Sequence, residues 1–228
     1  MSVDRERVER LTRELLDAIG EDPDRPGLRQ TPARMGALYA EFFAGIGEDP
    51  AVHLERTISV SRGPAPDTLP SGAVLLRDIR FRSVCEHHLL PFAGVAHIAY
   101  LPGEQVVGLG ALVKVVETLA ARPQVQERLG EQVADAIDEN LDTRGVLVVL
   151  DAEHGCVTMR GGRQPMASTL TIAARGAFTE PAARAELIAL IGSSIPTPHS
   201  EPRSAASRAS GARGPDSGTR VIRPGGDE

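Results

Sequence analysis

Residues 73–101 read AVLLRDIRFRSVCEHHLLPFAGVAHIAYL. How this stretch is read decides the fold. From Ile79 onward the residues alternate: Ile79, Phe81 and Ser83 fall on one side, Arg80, Arg82 and Val84 on the other. That period of two predicts a strand over 73–84. PFAG leads into VAHIAYL, 95–101, a second strand. A short connection between the two predicts an antiparallel pair. The connection itself, CEHHLL, gathers a cysteine, an acid and two histidines, and no packing requirement calls for such a cluster.

The flanking segments supply the rest of a domain. Upstream, Val8, Leu11, Leu15 and Ile19 recur at spacings of three to four, which predicts an amphipathic helix over 4–19 closed by Gly20. Thr31-Pro32 predicts an N-cap with proline in the first turn of a second helix, carrying Met35, Leu38, Tyr39 and Phe42 on one side. Downstream, a helix begins near Leu112 and stops before Pro123, and another spans 124–141 with Val125, Leu129, Val133 and Ile137 at spacing four. GVLVVLDA (145–152) is a buried strand, STLTIAARGAF (168–178) its partner, and 181–191 a last helix with proline in its first turn.

The order is strand-strand-helix-helix-strand-strand, then a helix. It predicts an α+β domain: an antiparallel four-stranded sheet (ββααββ), helices on one face, and an N-terminal helical extension. The expected divisions are a helical region 1–50, the sheet-bearing domain 51–192 and a tail 193–228. The tail is rich in Ser, Pro, Gly and Arg, cannot bury enough apolar surface to offset the entropy of ordering, and is expected to be disordered. An open sheet has two edges, which invite pairing with another copy and predict a homo-oligomer.

Composition narrows the function classes. The chain has 228 residues, 41% hydrophobic but only 3% aromatic, with no Trp, so the core must be built from Leu, Val, Ile and Ala. A net charge of −6 argues against a nucleic-acid partner. No stretch approaches the roughly 20 apolar residues needed to cross a bilayer. The opening MSVDRERVERLTRELL is charged and lacks the apolar core of a secretory signal, so a cytoplasmic location with reduced thiols is expected. Cys85 and Cys156, the two cysteines, then read as ligands or reactive thiols.

Cys85-x-x-His88 has the spacing of a ligand pair, and DAEHGCVTMRG (151–161) sets His154 two residues before Cys156. Each cysteine thus sits beside a histidine, at or just after the end of a predicted strand. Zinc suits mixed thiolate and imidazole ligands. Cys85, His88 and Cys156 as ligands would leave a fourth position open, the pattern of catalytic zinc, which brings the pKa of bound water to about 7. His87 and His154 would remain for acid–base work. Two other readings stay open on spacing alone: His154 as a fourth ligand of a structural zinc, or no metal, with the cysteines as buried thiols or a disulfide.

CEHHLLPFAG, GVAHIAYLP, RPQVQERL and HGCVTMRG, in this order, resemble the GTP cyclohydrolase I family; TPARMGALYAEFF and RDIRFRS fit as well. The resemblance spans roughly residues 4–192. It implies the tunnelling fold, subunits joined edge to edge into rings, and two rings stacked into a homodecamer with active sites at subunit interfaces. It implies zinc held by Cys85, His88 and Cys156. The implied reaction opens the imidazole ring of GTP by hydrolysis, releases C8 as formate and closes to 7,8-dihydroneopterin triphosphate. His154 is implied to protonate guanine N7, and His87 to move protons near the ribose oxygen. Glu127 is implied to accept from guanine N1–H and the 2-amino group, with Gln126 and the backbone of Val125 completing the base pocket.

The phosphate side departs from the family pattern. Where the family reads GLSK with an arginine three positions on, this chain has Gly110, Ala111 and Lys114; where it often has a lysine after TP-x-R, this chain keeps Arg34 but has Ala37. Arg160 is retained. Each charge-assisted contact is worth about 1.5–3 kcal/mol. Two other readings follow: a paralogue that accepts a less phosphorylated or modified guanine nucleotide or stops at a ring-opened pyrimidine, and a catalytically silent structural or regulatory subunit.

Overall fold

The structure is a computed structural model that describes residues 3–59, 72–160 and 164–192. The predicted tail 193–228 lies outside the described residues. Two helices open the chain, α1 (Arg5–Ala18) and α2 (Thr31–Phe42). A 3-10 turn at Pro50–His53 and β1 (Thr57–Ser59) follow. Then come β2 (Val74–Cys85), β3 (Pro91–Pro102), β4 (Gln105–Val107), α3 (Leu109–Ala120), β5 (Pro123–Gln124) and α4 (Gln126–Asn140). Next are β6 (Thr143–His154), the single turn α5 (Gly155–Thr158), β7 (Thr169–Gly176) and α6 (Pro181–Gly192).

The main sheet has the order β5-β2-β3-β6-β7, so it has five strands rather than the four expected. Neighbours among β2, β3, β6 and β7 are antiparallel. The fifth, β5, is two residues long and lies parallel to the end of β2, pairing Val84 with Pro123 and Cys85 with Gln124. A strand this short leaves no periodic signal, which is why the sequence read it as the start of a helix. β1 and β4 form a separate two-stranded ribbon. The alternation in β2 starts only at Ile79 because the register against β3 shifts between Leu76 and Ile79, where Asp78 takes a φ of 61°.

Alternation along β3 and β6 assigns each residue to a face. Ile98, Tyr100, Val146, Val148 and Leu150 bury against Leu112, Val115 and Leu119 of α3 and Leu129, Val133 and Ile137 of α4. Each such side chain removed from water contributes about 1.5–3 kcal/mol. The expectation that helices cover one face alone needs correction. On the other face Ala99, Leu101, Leu147 and Val149 bury against Phe178 and against Leu187 of α6. β3 and β6 are apolar on both sides at this end, and a strand of that composition needs cover on both.

The N-terminal hairpin also differs in detail. α2 starts at Thr31 itself, with Gln30 as its cap and no side-chain capping bond. In α1 the residues buried are Thr12 and Leu16, while Leu11, Leu15 and Ile19 stay exposed. Beyond α2 the chain meets the end of α3: Gly45 N–H donates to Ala121 O (3.0 Å) and Arg122 Nε to Gly45 O (2.8 Å).

Candidate active site

Strand direction brings the three singled-out segments to one end of the sheet. β2 ends at Cys85, β3 begins at Pro91, and β6 ends at His154, directly across from Phe92. CEHHLL is the loop that joins β2 to β3. It is closed by Cys85 N–H to Leu90 O (2.8 Å) and Leu89 N–H to Cys85 O (2.9 Å). Leu89 sits at φ 53°, a conformation that costs a side-chain-bearing residue about 1–3 kcal/mol and concentrates at functional loops. The β5 pairing adds the QVQER segment: Glu86 N–H donates to Gln124 O (3.0 Å), and Arg128 of α4 forms an ion pair with Glu86.

His154 is the most firmly placed group. Its ring stacks on Phe92 at 4.6 Å and 4°, and its Nε2 lies 2.7 Å from Gln126 Oε1. Burial lowers its pKa from the usual imidazole value, and the Glu127 carboxylate in the first turn of α4 opposes that shift. Gln126 is 1% exposed, and its amide nitrogen meets Leu150 O (3.1 Å), Thr169 O (2.8 Å) and Thr171 Oγ1 (3.2 Å). Val125 caps α4 in extended conformation, and Glu127 is exposed beside it.

Cys85 is buried and its Sγ lies 3.7 Å from His87 Nδ1; the His87 and His88 rings are exposed, 6.4 Å apart. Cys156 follows in α5, half-buried. Gly155 lets this turn approach the CEHHLL loop, because a Cβ there would stand 2.9 Å from Pro91 O. Among the described residues no three His, Cys, Asp or Glu side chains form a group arranged to hold a metal ion. The donor chemistry nevertheless fits zinc: Cys85, His88 and Cys156 come from two adjoining turns of backbone, both cysteines free.

Two of the phosphate-side candidates, Lys114 and Arg34, stand on other helices than this cluster. Lys114 is on the second turn of α3, paired with Glu117 (3.2 Å) and largely exposed. Just before that helix Val107 N–H donates to Tyr100 Oη (3.4 Å), and just past its end Arg122 O accepts from Ser83 Oγ (3.2 Å), two residues from Cys85. Arg34 is exposed on α2 with Gln30 as partner (2.8 Å). Arg160 is exposed just after α5. Gly110 faces open space, and Ala111 packs partly against the core. Sequence reasoning missed Phe92 as the platform for His154. The cross-strand register would have found it, but that register is not legible in the PFAG stretch alone.

A half-buried, stacked, hydrogen-bonded histidine beside a carboxylate and a Cys/His cluster at a sheet end defines an enzyme site on an α+β domain. Residues 8–192 match the family GTP cyclohydrolase I. The chain is 61% identical over 189 residues to GTP cyclohydrolase 1 of Leifsonia xyli subsp. xyli, covering 83% of this chain and 96% of that one. It is 52% identical over 196 residues to GTP cyclohydrolase 1 of Carboxydothermus hydrogenoformans, covering 85% and 98%. Against GTP cyclohydrolase 1 of Bacillus subtilis it is 48% identical over 188 residues, covering 82% and 95%. The chain belongs to the GTP cyclohydrolase I family and is a cyclohydrolase.

Proposed function

We propose that this protein opens the imidazole ring of GTP by hydrolysis, releases C8 as formate and closes the product to 7,8-dihydroneopterin triphosphate. The observation that carries this is the approach of His154 to the first turn of α4, where Gln126 holds the ring and Glu127 stands beside it. A purine bound to that turn has its recognition edge and its imidazole edge served by neighbouring residues. Cys85, His88 and Cys156 would hold zinc, which when bound supplies the Lewis acidity that makes water nucleophilic near neutral pH.

The chain's own residues do the rest. Glu127 accepts from guanine N1–H and the 2-amino group, donors that adenine does not offer in that arrangement. The Val125 backbone completes the base pocket. His154 moves a proton at N7, which makes C8 attackable. His87 moves a proton at the ribose oxygen as the sugar opens. Arg160 binds phosphate, together with Lys114 and Arg34. Lys114 lies near the start of α3, whereas the Cys85 end of β2 lies beside Arg122, just past the other end of that helix, and this favours its delivery from a neighbouring subunit. The sheet ends in β7 on one side and in the two-residue β5, which covers only the end of β2, on the other; these edges support edge-to-edge rings, and a homodecamer is the assembly this reading expects. No helix among the described residues is long and apolar enough to cross a membrane, and the reading is of a cytoplasmic enzyme with neither membrane nor nucleic-acid partner.

Purified protein reconstituted with zinc and given GTP, GDP, GMP and guanosine tests the reading. Formate and a fluorescent pterin from GTP are expected. Formate without pterin would indicate arrest at the opened ring. Turnover of another purine in preference to GTP would reassign the substrate, and no formate from any of the four would overturn the proposal.

A further inference from the structure

The Gln126 side chain is turned away from a bound base: it is 1% exposed, and both ends of its amide are engaged inside the protein. Its nitrogen lies against two backbone carbonyls, Leu150 O at 3.1 Å and Thr169 O at 2.8 Å. A carbonyl only accepts, so the group facing both must be the NH2 end of the amide. Exchanging the ends would set an oxygen against two oxygens in a site that is 1% exposed, and a buried acceptor without a donor costs about 1–3 kcal/mol. Oε1 is therefore the atom 2.7 Å from His154 Nε2, and it too only accepts. The hydrogen in that contact belongs to the histidine.

We infer that Gln126 is a positioning residue that locks His154 in the Nε2–H tautomer, so that Nδ1 is the only ring nitrogen left to exchange a proton with substrate. The lock has three parts from distant elements. β6 and β7 supply the carbonyls that orient the amide. The first turn of α4 supplies the amide. Phe92 on β3, itself 1% exposed, holds the imidazole plane by stacking at 4.6 Å and 4°. A neutral imidazole carries one hydrogen, and a ring free to choose would divide between its two tautomers. Fixing Nε2–H leaves the lone pair on Nδ1. The consequence for the reaction rests on the function proposed above: Nδ1 takes a proton from water, forming the imidazolium, and passes it to guanine N7, which returns the ring to the Nε2–H tautomer. The base pocket is then left to Glu127 and to the free backbone N–H groups that open α4, with the Gln126 side chain outside it.

Neutron diffraction from crystals of the zinc-loaded protein, exchanged into deuterated buffer, reads the tautomer directly. Deuterium on His154 Nε2, with Gln126 Oε1 as its acceptor, is expected. Deuterium on Nδ1 with Nε2 bare overturns the inference, whatever the activity. If Nε2 carries deuterium but GTP yields no formate, the tautomer stands and the proposed reaction falls. The kinetic arm uses Gln126→Met, which keeps length and loses both hydrogen-bonding ends. The expected result is a kcat lower by about 10–100-fold with KM for GTP within about twofold. A raised KM with unchanged kcat would make Gln126 a base contact and refute the positioning role. Should that variant not fold, the tautomer in the unmutated protein decides alone.

Discussion

The two groups of residues assigned to one substrate are built in opposite ways. At the ring-opening end, His154 and its surroundings are set by partners from other strands or helices: His154 by Phe92 and Gln126, Gln126 by β6 and β7, the Cys156 turn by Pro91. At the phosphate side, Arg34 and Lys114 stand exposed on helices, and their polar partners Gln30 and Glu117 lie in the same segments. Two glycines make the contrast plain. A Cβ at Gly155 would meet Pro91 O at 2.9 Å, whereas one at Gly110 would meet nothing within 4 Å. Where side chains interlock, few substitutions are sterically allowed. Where they face solvent, a protomer tolerates Ala37 and Gly110 without internal cost.

The strongest way to break this contrast is to attack the interlocked end. Cys156→Ser is expected to abolish stoichiometric zinc, read by elemental analysis, and to lower kcat/KM for GTP at least about a thousandfold. Retained zinc and activity would remove Cys156 from the ligand set. Phe92→Ala leaves a cavity under His154 and should cost about 3–5 kcal/mol in a denaturant titration. A cost below about 1 kcal/mol would show that the stack is not held by the core.

Glu127→Gln is expected to lower kcat/KM for GTP by about 10–100-fold, the worth of a charge-assisted contact. An unchanged value would leave Glu127 as a solvated helix charge. Gly155→Ala should cost about 1–3 kcal/mol and weaken zinc retention in a chelator competition, because Pro91 must move to admit the methyl group.

The smallest effect is expected at the open end. The double change Gly110→Ser with Ala111→Lys should alter stability by less than about 1 kcal/mol, since the serine enters free space and the lysine stem can lie along the core edge while its ammonium reaches water. KM for GTP should fall by up to about tenfold if these positions face triphosphate. No change would mean that phosphate binding does not involve this turn.

Much of the site was visible before the fold. CEHHLL marked itself by composition, HGC by pairing the second cysteine with a histidine, and RPQVQERL by its place in the family pattern. The side-chain contacts of Gln126 are not legible in the sequence because they lie 24 to 45 residues away, on Leu150, Thr169 and Thr171. The stripe of α1 was read correctly as helical, yet its Leu11, Leu15 and Ile19 face solvent in this protomer, because periodicity reports a face but not what covers it.

Sequence by itself determined the strand pair around CEHHLL, the helices that follow, and the residue types able to hold zinc and move protons. These follow from periods of two and 3.6 and from side-chain chemistry, which act over a few neighbours. Tertiary structure alone decided the parallel fifth strand, the helix on the second face and the hydrogen-bonded seat of His154. Those depend on register between strands and on which carbonyls a buried amide meets, and no local pattern encodes contacts made across so many residues.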